Sequence, residues 1–348
     1  MKVASIIGAR PQFIKMAMLD KQLKNDNEIQ EIIIHTGQHY DRNMSENFFN
    51  ELDIPEPDYN LGVVSDTHGK QTAMMMERTE KVLLDEKPDW VLVYGDTNST
   101  LAGVLTAAKL NLKTAHIEAG LRSYNRKMPE EINRIIADHI SDVLFAPTEN
   151  AMKILKHEGL EKKSYLVGDV MYDSALYYIK MAENNYRLSD IIPHTQYYLA
   201  TVHRQENTDD INRLRKIFGV FAMLDLPVVI PVHPRTRKYL KNIRINENVK
   251  MIDPTGYLQM LVLIKNAVKV LTDSGGVQKE AYFLQKQCIT LRDETEWIET
   301  LENGWNYTVG MDDKLILEKI KQTSTGLQKK YFGDGNAAVK MVDILKNY

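Results

Sequence analysis

Residues 90–134 gather the side chains best suited to general acid–base chemistry. Asp96 follows Gly95 at the end of one short apolar run, 90–94, and Glu118 stands before Ala119-Gly120 at the end of another, 114–117. Glu130 and Glu131 follow Pro129 at the start of the next helical pattern, with Arg122 and Arg134 close by in sequence. Short apolar runs bounded by turn residues and separated by a helical pattern read as buried parallel strands of a βαβ unit. Ligands of open α/β sheets sit outside the carboxyl ends of the strands, so Asp96 and Glu118 face one crevice if their strands are neighbours. A duller reading of Glu130 and Glu131 also stands, because acids in a first helical turn offset the helix dipole.

Two turns have the makings of anion sites. Gly8-Ala9-Arg10-Pro11 follows an apolar run and opens a helix with Pro11 near its first position. Free N–H groups at such a helix start suit phosphate, and Arg10 adds a forked cation. The alternative is an ordinary βα turn with a solvent-exposed arginine. In the second half, Asp273-Ser274-Gly275-Gly276 links a strand pattern to a helical one. Its paired glycines let backbone amides close on an anion, Ser274 adds a hydroxyl, and Glu280 one turn later has the chemistry to accept ribose hydroxyls. Helix–sheet packing is the competing explanation for the glycines.

None of the nine histidines has metal-ligand spacing; His35 and His39 straddle Gly37 and share no helix face. His116 lies on an expected core strand and reads as an interior histidine. His203 and His233 each follow a strand pattern and precede an arginine, Arg204 and Arg235, which makes them a pair at corresponding strand ends.

Positioning these residues requires two sheets. Strand-like runs at 3–7, 31–35, 90–94, 114–117, 143–146 and 165–167 are followed by a second series at 197–202, 228–232, 249–252, 268–272, 288–291 and 307–309. Helical patterns separate them throughout, which predicts an α/β chain of two doubly wound, Rossmann-like domains. The expected division is 1–170 and 171–335, with a last helix at about 336–348. A further helix is expected around 44–52.

Composition narrows the function classes. The 348 residues suffice for two domains, and 43% hydrophobic with 26% charged residues is ordinary for a globular protein. A net charge of −3 gives no support for nucleic-acid binding. The single cysteine, Cys288, excludes an intrachain disulfide and reads as a buried thiol. No apolar run is long enough to cross a bilayer, and the first residues do not read as a secretory signal, so a cytoplasmic protein without membrane partners is expected.

Taken in order, Gly8-Ala9-Arg10-Pro11, Gly95-Asp96-Thr97, His116-Ile117-Glu118-Ala119-Gly120-Leu121-Arg122, Pro129-Glu130-Glu131-Ile132-Asn133-Arg134 and Thr272-Asp273-Ser274-Gly275-Gly276 resemble the non-hydrolysing UDP-N-acetylglucosamine 2-epimerases. The resemblance runs collinearly from Lys2 to the Phe332-Gly333-Asp334-Gly335 turn. It implies the glycosyltransferase-B architecture, two Rossmann-like domains facing across a cleft with the C-terminal helix returning to the first. It also implies a homodimer that uses no metal or redox cofactor. The implied reaction interconverts UDP-N-acetylglucosamine and UDP-N-acetylmannosamine by eliminating UDP to a 2-acetamidoglucal and adding it back. By the same resemblance the catalytic carboxylates are Asp96, Glu118 and Glu130, and the catalytic histidine is His203. Uridine diphosphate contacts fall on Arg10, His233, Ser274, Gly275, Gly276 and Glu280, with Lys15 and Arg134 near the sugar.

The chain departs from the pattern in two places. Thr295-Glu296-Trp297-Ile298-Glu299 replaces a common Thr-Glu-Arg-Pro-Glu, and with Thr201-Val202-His203-Arg204-Gln205-Glu206-Asn207 it is closer to the branch acting on UDP-2,3-diacetamido-2,3-dideoxy-glucuronate. Gln38-His39 is followed by Tyr40-Asp41, and Met74 stands where an arginine would align, which counts against a second, regulatory UDP-sugar site. A hydrolysing epimerase, a glycosyltransferase on the same fold and a non-catalytic UDP-sugar sensor are the competing functions. The sensor would lack the acids this chain has.

Overall fold

The structure is a computed structural model that describes residues 1–37, 48–232, 234–241 and 243–348. Two compact units divide the chain: Met1–Ser174 with Lys330–Tyr348, and Ala175–Lys329.

In the first unit seven parallel strands form one sheet: β1 (Lys2–Ile7), β2 (Gln30–His35), β3 (Tyr59–Asn60), β4 (Trp90–Tyr94), β5 (Lys113–Ile117), β6 (Val143–Ala146) and β7 (Ser164–Leu166). Their order is β3-β2-β1-β4-β5-β6-β7. The order reverses direction between β1 and β4, which opens a crevice at their carboxyl ends. All five residues of β4 are buried, as a strand covered on both faces requires. Ile6, Ile34, Val91 and Val93 pack there with Val104 and Ala107 of the Asn98–Lys109 helix. Beyond the end of β1 a Cβ on Gly8 would lie 2.1 Å from Ser99 Oγ of that helix and 2.2 Å from Thr36 Oγ1, so any larger residue would have to displace both hydroxyls.

The second unit carries β8 (Tyr198–Thr201), β9 (Val228–Pro231), β10 (Val249–Ile252), β11 (Lys269–Thr272), β12 (Cys288–Thr290) and β13 (Asn306–Thr308), in the order β10-β9-β8-β11-β12-β13. Its switch point lies between β8 and β11. Separate apolar clusters cover the two faces, one built on Phe218, Phe221 and Ile230, the other on Tyr197, Leu199 and Leu263.

Both units are thus Rossmann-like. All twelve expected strands are present, and the two-residue β3 is an addition. The chain crosses between units a few residues from positions 170 and 335. At the second crossing Asp169 N–H donates to the Phe332 carbonyl (3.0 Å), and a Cβ on Gly333 would lie 3.0 Å from Gly168 Cα. This backbone contact draws the chain into the first unit before the last helix begins. That helix, Ala337–Asn347, is capped by Asp173, which accepts the Ala338 N–H (2.9 Å), and Tyr348 beyond it lies edge-on to Trp90. Of the helix expected at 44–52, residues 44–47 lie outside those described, as do Gln38, His39, Tyr40 and Asp41. Among the described residues no helix is long and apolar enough to cross a membrane.

Candidate active site

In the first unit the strand-end acids each have a basic partner. Lys15, on the Arg10–Leu23 helix, reaches Glu118 Oε1 at 2.5 Å, with both side chains nearly buried. Arg134, on the Pro129–Ile140 helix, donates to Asp96 and, at 3.0 Å, to Glu131 Oε2. Asn133 on the same helix donates to the Asp96 carbonyl (2.9 Å), so that helix is fastened directly to the turn after β4. The turns after β4 and β5 are joined as well, through Gly95 N–H to the Ile117 carbonyl at 2.9 Å.

Glu130 and Glu131 separate cleanly. Glu131 is 1% exposed and accepts from Ser123 N (2.9 Å), Ser123 Oγ (3.0 Å) and Tyr124 N (2.8 Å), shaping the loop before its own helix. Glu130 is exposed and makes no ion pair with a described residue. Neighbours in sequence project about 100° apart around a helix, which gives one glutamate to the scaffold and leaves the other facing solvent.

In the turn after β1 two backbone amides already have a partner within the protein. Gln12, buried, turns its Oε1 back onto Gly8 N–H (2.8 Å) and Ala9 N–H (3.0 Å), and its Nε2 donates to the Tyr94 carbonyl (2.8 Å). Those amides are therefore spent inside the protein. Arg10 remains, its guanidinium over the Phe48 ring at 5.1 Å; burial lowers its pKa against the opposing charge of Glu51.

In the second unit the turn after β11 has the opposite character. Ser274 Oγ accepts Val277 N–H (3.4 Å) as the cap of the Gly275–Phe283 helix. Gly275 and Gly276 fall in the first turn, where amides have no intrahelical acceptor. Glu280 is buried on the same helix. Burial pushes its carboxyl up to about 7, and the Lys279 charge and the Tyr257 hydroxyl only partly oppose this. Lys279 Nζ lies 3.9 Å from the centre of the Trp297 ring, and the Trp297 Nε1 edge is 3.5 Å from where a Gly275 Cβ would be. A cation over the indole face fixes that edge beside the glycine turn.

His203 follows β8 across the switch point, with Asp273 behind it. Asp273 is fully buried and accepts His203 N–H (3.0 Å), Arg204 N–H (3.0 Å) and Asn207 Nδ2 (3.0 Å); its Oδ1 is 3.3 Å from His203 Nδ1. The carboxylate orients the imidazole while leaving the ring accessible. His233 and the side chain of Arg235 lie outside the described residues. The sequence reading left Glu131 between acid–base work and offsetting the helix dipole, and quoted Asp273 only as part of the glycine turn; neither was read as the buried acceptor it is. Their signal was present in the motifs, but their partners are set by folding. Among the described residues no cluster of His, Cys, Asp or Glu has the arrangement of a metal site.

Comparison with known proteins identifies the family. The family model described as UDP-N-acetylglucosamine 2-epimerase matches residues 21–346. The chain is 53% identical to a UDP-N-acetylglucosamine 2-epimerase homolog of Methanococcus maripaludis, across the whole of both chains. It is 48% identical to the UDP-2,3-diacetamido-2,3-dideoxy-D-glucuronate 2-epimerase of Pseudomonas aeruginosa, across 99% of each. The crystal structure of Methanocaldococcus jannaschii UDP-GlcNAc 2-epimerase in complex with UDP-GlcNAc and UDP superposes with a TM-score of 0.92 at 44% identity, each chain covered in full. With the family model matching residues 21–346 and relatives aligned along the full chain, the chain belongs to the UDP-N-acetylglucosamine 2-epimerase family of isomerases.

Proposed function

We propose that the protein inverts C2 of a UDP-2-acetamido sugar without releasing UDP to water, converting UDP-N-acetylglucosamine to UDP-N-acetylmannosamine and back. A base takes the proton from C2, the C1–O bond breaks and its electron pair leaves with UDP. The C1=C2 bond of a 2-acetamidoglucal remains. A proton then returns to the opposite face of C2 while the UDP oxygen rejoins C1. One rigid base cannot serve both faces, so at least two acid/base groups are needed.

The observation that carries this reading is the pairing of strand-end acids, Asp96 with Arg134 and Glu118 with Lys15, with Glu130 exposed in the first turn of the helix that carries Arg134. These three and His203 are assigned to the acid–base work. Lys15 and Arg134 orient the acids and the sugar. Ser274, Gly275 and Gly276 receive the diphosphate, whose growing charge on departure the free amides and the dipole offset. Arg10 and His233 add positive character, and Glu280 accepts from the ribose. The working form is a cytoplasmic homodimer, testable by light scattering.

The second substrate reading, the diacetamido-glucuronate, is favoured by one feature. Lys279 and Trp297 pair beside the glycine turn where the commoner pattern puts an arginine. Both UDP-sugars are offered separately and the products resolved by chromatography. UDP-linked epimers of one of them support the reading; free UDP with free sugar contradicts it.

A further inference from the structure

A fully buried charged cluster lies behind the strand-end acids, and the proposed chemistry makes no use of it. His116, on β5 two residues before Glu118, has no exposed surface. Its Nδ1 is 2.7 Å from Asp138 Oδ1 and its Nε2 is 2.7 Å from the Gly95 carbonyl oxygen. Asp138 Oδ2 accepts from Gly120 N–H (3.1 Å) and Arg122 Nη1 (2.7 Å). Burial alone would push the Asp138 carboxyl up, but the hydrogen bonds and charges of His116 and Arg122 outweigh it and hold the group below its usual value. A peptide carbonyl only accepts, and so does an ionised carboxylate. Both ring nitrogens of His116 therefore donate.

The cluster grips backbone at the two places that carry the acids. Gly95, immediately before Asp96, has φ 61°; Glu118 has φ 73° and Gly120 φ 83°. Left-handed backbone at a glutamate persists only where the surroundings over-determine it. Lys15 and Arg134 hold the carboxylate ends. His116 and Asp138 hold the turns on which those carboxylates ride.

The geometry points to His116 and Asp138 as positioning residues for the epimerisation: a doubly protonated His116 bridges the Gly95 turn to Asp138, and the pair sets the aim of Asp96 and Glu118. This rests on the reading of those acids as the reacting groups. Neither His116 nor Asp138 touches substrate. A purely structural ion cluster would instead lower the folded fraction and leave the folded remainder fully active.

The test uses the full chain as wild type, His116→Gln and Asp138→Asn. UDP-binding sites are counted by calorimetry and rates expressed per site. The expected result is a kcat about 10²-fold lower per site with KM changed by less than about threefold, the signature of misaimed reacting groups. In 15N spectra of histidine-labelled wild type, both His116 ring nitrogens should carry protons at the assay pH. An unprotonated ring nitrogen, or variants with wild-type kcat per UDP site, overturns the proposal. A wild type that turns over neither UDP-sugar overturns the functional reading itself, and is recognised because the parent fails along with its variants.

Discussion

Glu118 occupies left-handed backbone, φ 73°, a conformation costing an L-residue about 1–2 kcal/mol, and its carboxylate is paired with a nearly buried Lys15. Glu118→Gln keeps the shape and removes the charge. Turnover should fall at least about 10²-fold while UDP affinity by calorimetry stays within about twofold; a variant as active as the wild type would remove Glu118 from the reacting groups. Glu280 gives a pH test. Its folded carboxyl titrates at about 7, and only the ionised form has every lone pair open to ribose hydroxyls. UDP binding should tighten from about pH 6 to about pH 8, and Glu280→Gln should flatten that trend; a wild-type affinity indifferent to pH contradicts it. Residue types at strand ends could be read from sequence because apolar runs locate the strands. The division of labour between Glu130 and Glu131 could not. Both suit a first helical turn equally, and only the helix's orientation on the sheet decides which is buried. The His116–Asp138 pair was hidden for a similar reason, since it joins a strand to a helix 22 residues on.

At the scale of elements, parallel strands and their helices were legible because burial on both faces leaves continuous apolar runs between turn residues. The two-residue β3, Tyr59–Asn60, has no such signature; it is an edge pairing supplied by β2. In the turn after β1 the partner of two amides could not be read from sequence. Gln12 lies within a helix, and nothing local says that its amide will turn back to satisfy Gly8 and Ala9. Behind β1 sits an acid whose state follows from packing. Burial, outweighing the Ser5 hydrogen bond and reinforced by Asp20, pushes Glu31 up to about 8 from its ordinary 4.5. The folded state therefore keeps a proton that the unfolded chain releases. Stability from this group is complete below about pH 4.5 and is lost as pH rises toward about 8. Glu31→Gln supplies a permanent neutral group that accepts from Ser5 and donates toward Asp20. Its melting temperature should exceed the wild type's at pH 8 by at least about 3 °C, with the gap closing toward pH 5. Parallel curves across that range would contradict the protonated Glu31.

On the scale of the whole molecule, the proposed site residues are divided between two units of like construction. The first carries Asp96, Glu118 and Glu130 on strand and helix ends, and the second carries the Ser274–Gly276 amides and the oriented His203. Both halves place these residues at the carboxyl ends of parallel strands beside a switch point, where doubly wound sheets bind ligands. The central claim is that the acids exchange the C2 proton while the nucleotide stays with the sugar. It is tested most directly by incubating the protein with UDP-N-acetylglucosamine in D2O and following C2 by NMR. The account predicts deuterium at C2 in both epimers, each still joined to UDP. Epimers that keep protium at C2, or deuterated sugar released free of UDP, would contradict it.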